Sequence, residues 1–119
     1  MDLNIFIDQI KRRPDYAKVG MILSHLGVVR ATSRDGRAVR GLRVALDLDK
    51  LDEVIARHKE RDGIVEILVQ INADRDLRVG DDVMGLVVAG DVRENVIGTM
   101  AELIDDIKGK VTKKTEYPA

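Results

Sequence analysis

Residues 64–71 (IVEILVQI), 72–82 (NADRDLRVGDD) and 83–90 (VMGLVVAG) carry the reading that decides the fold. The outer runs are short, apolar and rich in Val, Ile and Leu, the pattern of buried strands. Between them Asn72-Ala73-Asp74-Arg75-Asp76 reads as a polar loop, and Arg78-Val79-Gly80-Asp81-Asp82 as a turn. The first run reads as a central strand. Upstream, Leu48, Leu51, Val54, Ile55 and His58 share a helix face, capped by Asp47 or Asp49 and closed at Asp62-Gly63. Downstream, Val96, Ile97, Met100, Leu103, Ile104 and Ile107 mark a long helix with Gly109 near its stop, followed by a basic tail, KVTKKTEYPA. A strand pair therefore lies between two helices.

The first half of the chain repeats that grammar. Leu3, Phe6, Ile7 and Ile10 form one face of a short helix, with Asp2 as a cap, Lys11-Arg12-Arg13 in its last turn and Pro14 ending it. VGMILSHLGVVR (19–30) reads as a buried strand, residues 31–41 as a mobile loop or hairpin tip, and GLRVALDL (41–48) as a second strand. The order is α-β-β-α-β-β-α-tail. Strand pairs between helices predict an α+β fold with largely antiparallel pairing, over one domain spanning 1–119.

Composition bounds the chemistry. The 119 residues hold 20 Lys+Arg against 21 Asp+Glu, so no global attraction to nucleic acid or an anionic membrane is expected. Without cysteine there is no disulfide, thiolate zinc site or cysteine nucleophile. Two histidines, His25 and His58, do not make a protein metal cage, and no metal or cofactor is expected. Aromatics are 3% of the chain and Trp is absent, which argues against a stacking platform for single strands. The N-terminus MDLNIFIDQIKRR is too short and acidic for a signal peptide, and no apolar run approaches a membrane span; the compartment expected is cytoplasm.

No phosphate-binding loop, GxGxxG or GxSxG is present. His25 reads as a core histidine, His58 as a surface one among Arg57, Lys59 and Glu60, and Asp81-Asp82 and Asp105-Asp106 as turn and helix-surface groups. Basic residues at element ends hold more interest. Arg30 ends a strand, Arg93 joins a strand to the last helix, and Lys108, Lys110, Lys113 and Lys114 cluster beyond that helix. Such a set suits phosphate or carboxylate, against the plainer reading of a solvated face.

The ordered features resemble one family. Residues 20–30 (GMILSHLGVVR) are similar to the "GA-x-x-S-F-x-G-x-V-R" stretch of the large, catalytic subunits of molybdopterin synthase. Leu42-Arg43-Val44-Ala45-Leu46 falls where that family has "LEYEAY", and Leu77-Arg78-Val79-Gly80-Asp81 matches its "L-x-V-G-(D/E)" turn. Gly90-Asp91-Val92-Arg93-Glu94 stands for "S-x-H-R-x", residues 104–108 for "ID-x-x-K", and Lys113-Lys114-Thr115-Glu116 for "WKKE". The resemblance covers roughly residues 18–116.

The resemblance implies an α/β hammerhead fold and a homodimer flanked by a small ubiquitin-like sulfur carrier. The carrier's C-terminal Gly-Gly tail, as a thiocarboxylate, would enter the large subunit and pass sulfur to cyclic pyranopterin monophosphate. Carried over by position, Lys108 and Lys114 (or Lys113) would be catalytic, while Arg30 and Arg93 would bind the anionic substrate. The chain departs from the family where "HR-x-G-x-L" is Asn72-Ala73-Asp74-Arg75-Asp76-Leu77, where the second "HR" is Val92-Arg93, and where the strand-end Phe is His25. Those departures imply an alternative, a non-catalytic homologue acting as a dimeric scaffold for a carrier tail or an anionic ligand.

Overall fold

The computed structural model describes residues 1–119. Its elements are α1 (Asn4–Lys11), β1 (Met21–Val28), β2 (Val39–Leu46), α2 (Leu48–Lys59), β3 (Ile64–Ile71), β4 (Asp76–Arg78), β5 (Asp82–Gly90), α3 (Arg93–Asp106) and β6 (Thr112–Pro118). A 3-10 turn occupies Tyr16–Lys18 and a π-helical turn Ile107–Val111. Two antiparallel sheets result, in the orders β1-β5-β3 and β4-β2-β6.

The first sheet corrects one expectation. β5, not β3, is its central strand. Met84, Leu86 and Val88 pack on one face against Val96, Met100, Leu103 and Ile107, while Val87 and Ala89 pack on the other against Ile10 of α1. A strand covered on both faces needs an unbroken apolar run, which 83–90 supplies. In β3 Gln70 is exposed and Glu66 takes ion pairs from Arg13 at 2.7 Å and Lys59 at 2.9 Å, as an edge strand permits. β1 is the opposite edge and is half-buried rather than buried, with Leu26 44% and Val28 49% exposed.

The second sheet holds a smaller core of Val29, Leu42, Val44 and Leu77. Val29 comes from the end of β1, so this core ties the two sheets together. Gly41 lies so close to the Leu77 carbonyl of β4 that a side chain there would collide with it. The turn before β5 places Gly80 at φ +92, a left-handed conformation suited to glycine. The basic tail expected from Lys110 onward is instead the end of the π-helical turn and then strand β6, paired to β2 from Leu46↔Thr112 to Val39↔Pro118. Lys-rich edge strands avoid pairing with other chains, and that makes such a segment look like a tail in sequence. Asp47 caps α2, accepting from the Lys50 N–H at 3.1 Å. No helix is long and apolar enough to cross a membrane.

Candidate active site

Lys108 stands on the π-helical turn that continues α3. Ile107 and Val111 of this turn are buried in the main core, so Lys108, Gly109 and Lys110 are turned outward. A single π-helical turn commonly marks a functional position, because it displaces side chains from the regular helical array. Asp106 anchors the turn. Its Oδ2 lies 2.7 Å from His58 Nε2 and 3.4 Å from Arg57 Nη2, and its Oδ1 lies 3.4 Å from Lys110 Nζ. The His58 hydrogen bond, and then the Lys110 charge, hold the Asp106 carboxyl below the usual carboxylate range against some desolvation. His58 is therefore buried, at 5% exposure, and not a surface residue; its Nδ1 has no partner. Asp106 likewise is an anchor for α2 and α3 rather than a plain helix-surface group.

His25 lies across from Leu86 in the β1–β5 register. Facing residues of an antiparallel pair share a side of the sheet, so His25 points with Leu86 toward the helix layer that carries Ile107. Its imidazole is partly buried. Burial, and then the positive charge of Lys108, push its proton affinity below that of an ordinary histidine. His25 and Lys108 are thus brought within electrostatic reach of one another.

The two arginines are not brought together within one chain. Met21 pairs with Gly90, three residues before Arg93, whereas Arg30 follows Val28 at the other end of β1. The seven steps from Met21 to Val28 span about 23 Å at roughly 3.3 Å per residue. Arg93 opens α3, is 79% exposed and meets Glu94 at 3.3 Å. Arg30 is exposed, its Nε donating to the Thr32 carbonyl at 2.9 Å.

The register separates the two tail lysines. Lys114 pairs with Val44 and shares the face whose core contains Val29, at the exit of β1; Glu116 is 3.9 Å from its ammonium. Lys113 pairs with Ala45 on the opposite face, where it lines an open cavity of about 340 Å³ with Lys50, Asp74 and Lys110. Neither arginine, nor Lys108, nor Lys114 lines that cavity. Nowhere do three or more His, Asp or Glu side chains gather as metal ligands.

The family model described as "MoaE protein" matches residues 2–110, a span that includes Arg30, Arg93 and Lys108 and stops short of Lys114. No curated protein matches the chain. Among solved structures, "Molybdopterin cofactor biosynthesis protein E" from Burkholderia multivorans is 18% identical, with TM-score 0.76, over 100% of this chain and 86% of that one. Molybdopterin synthase from Staphylococcus aureus is 18% identical, with TM-score 0.72, over 86% of this chain and 77% of that one. The Helicobacter pylori complex of subunits 1 and 2 of "Molybdopterin-converting factor" gives 17% identity and TM-score 0.70, over 100% and 84%. At such identities the likeness establishes a shared fold, the α+β arrangement expected from the order of elements.

Proposed function

We propose, from the premise that the chain belongs to the MoaE protein family, that it is the large subunit of molybdopterin synthase in molybdenum cofactor biosynthesis. In this reading it transfers sulfur from a thiocarboxylated carrier protein to cyclic pyranopterin monophosphate, as one domain working in the cytoplasm. The observation that carries it is the family match across residues 2–110, which takes in Arg30, Arg93 and Lys108. The Helicobacter pylori neighbour is a complex of two subunits, which supports a small sulfur-carrier partner here.

Each basic residue has a role that its chemistry suits. The Lys108 ammonium stabilises the oxyanion that forms on the carrier's terminal carbonyl as sulfur departs. Lys114 holds the carrier tail, a choice over Lys113 supported by its place on the Val29 side of the second sheet. Arg30 and Arg93 bind the substrate's cyclic phosphate through charge-assisted hydrogen bonds. Since they lie beyond opposite ends of β1, whose length is about 23 Å, a site using both takes Arg30 from one copy and Arg93 from a second. A homodimer meets that requirement.

A reconstituted reaction tests this. With thiocarboxylated carrier and cyclic pyranopterin monophosphate, the chain yields the dithiolene product, and Lys108→Ala lowers kcat about 10²–10³-fold while remaining folded. One observation favours the second reading, a non-catalytic dimeric scaffold: Asn72 and Val92 stand where the family has histidines, and neither can move a proton. Carrier binding without any turnover would establish the scaffold instead.

A further inference from the structure

We infer that His25 is the proton acceptor for the step that releases the carrier, working beside Lys108. The inference rests on the sulfur-transfer reading and deepens it. Once the thiocarboxylate sulfur has bonded to a substrate carbon, the carrier's terminal carbonyl and the substrate are joined as a thioester. Release requires water: its oxygen bonds to the carbonyl carbon, the carbon–sulfur bond breaks, and the electron pair leaves with sulfur. The products are a carrier carboxylic acid, which ionises to the carboxylate by losing its proton to solvent, and a substrate thiol. One proton must be taken from the attacking water, and it can be returned to the sulfur.

Lys108 as an ammonium stabilises the oxyanion but cannot accept that proton. A neutral imidazole within electrostatic reach of it can. His25 meets the requirement on four counts. It is only partly buried, so water reaches it. It stands on the helix-facing side of β1, opposite Leu86. Lys108 is the charged group that acts on it, while Met84 and Leu86 of β5 present no charge. Its environment favours the neutral ring near pH 7. His58, the only other imidazole, is buried with Nε2 committed to Asp106, and so is withheld from solvent chemistry.

The experiment is a single-turnover reaction of the complete chain with thiocarboxylated carrier and substrate, followed by mass spectrometry of the carrier. His25→Gln is expected to slow carrier release about a hundredfold or more, with accumulation of the carrier–substrate thioester and little change in carrier affinity. The wild-type rate should rise with pH through a midpoint below 6.5, the ordinary histidine value, and the variant should lack that limb. An active wild type with an equally active His25→Gln, showing the same profile and no adduct, overturns the role of His25 alone. A wild type with no turnover overturns the sulfur-transfer reading and this step with it. In the intact chain, NMR titration of His25 should move its midpoint upward in Lys108→Met. An unmoved midpoint refutes the juxtaposition even if a His25 variant fails to fold.

Discussion

At the scale of single residues, the His58–Asp106 contact ties the end of α3, where the π-helical turn begins, to α2. His58→Ala strips Asp106 of its 2.7 Å partner and empties a buried site. A loss of about 1–3 kcal/mol is expected in urea unfolding, and a change within experimental scatter would contradict the anchoring role. Asp106 titrates below the ordinary carboxylate value of 3.8, so its stabilising contribution is present above that pH and fades as pH falls through its lowered value. The residue pattern held part of this. His58 falls four residues after Val54 and seven after Leu51, both buried, so helical period pointed it inward. The charged neighbours Arg57, Lys59 and Glu60 pointed it outward, and period won because face, not local composition, decides burial. Asp106 is 48 residues away, beyond what a local pattern can reveal. Arg30, Arg93, Lys108 and Lys114 stand out in the sequence as basic residues at element ends, but their separate roles come only from the family resemblance, since exposed basic residues carry no periodic signal.

Among the elements, apolar pattern marks the three α-helices and the longer strands but misjudges their neighbours. Two runs as apolar as 64–71 and 83–90 differ in place because helices cover both faces of β5, and no count within one strand contains that fact. The short β4 and the lysine-bearing β6 escaped because both lie at sheet edges around β2 and bury little. Two glycines test this packing with opposite signs. Gly41→Ala drives a methyl group into the Leu77 backbone and should cost about 1–3 kcal/mol by forcing β4 away from β2. Gly98→Ala, in α3 with no atom within 4 Å of the added carbon, should stabilise by about 0.5–1 kcal/mol through helix propensity alone. Thermal unfolding of the pair decides it. Equal shifts of the same sign would mean that the β2–β4 approach is not a constraint.

For the whole molecule, shape and the division of the arginines bear on assembly together. Extents of 48 × 24 × 23 Å and a radius of gyration of 15.2 Å describe an elongated body. A compact domain of this length would have a radius of gyration near 13.5 Å. The elongation follows from two sheets with separate cores joined through Val29, and it leaves Arg30 and Arg93 at opposite ends of β1. A two-fold dimer presents the same surface patch twice, so one interface that brings Arg93 of one copy to Arg30 of the other makes two equivalent sites. Light scattering should accordingly give twice the 13.2 kDa chain mass. The sharper measurement mixes two inactive variants, Arg30→Ala and Arg93→Ala, and allows their subunits to exchange. In a mixed dimer, one site receives both intact arginines and the other receives neither. Statistical mixing then restores roughly a quarter of wild-type activity in the sulfur-transfer reaction. No recovery after demonstrated exchange would mean that each chain completes its own site, and then Arg93 cannot act on the substrate held by Arg30.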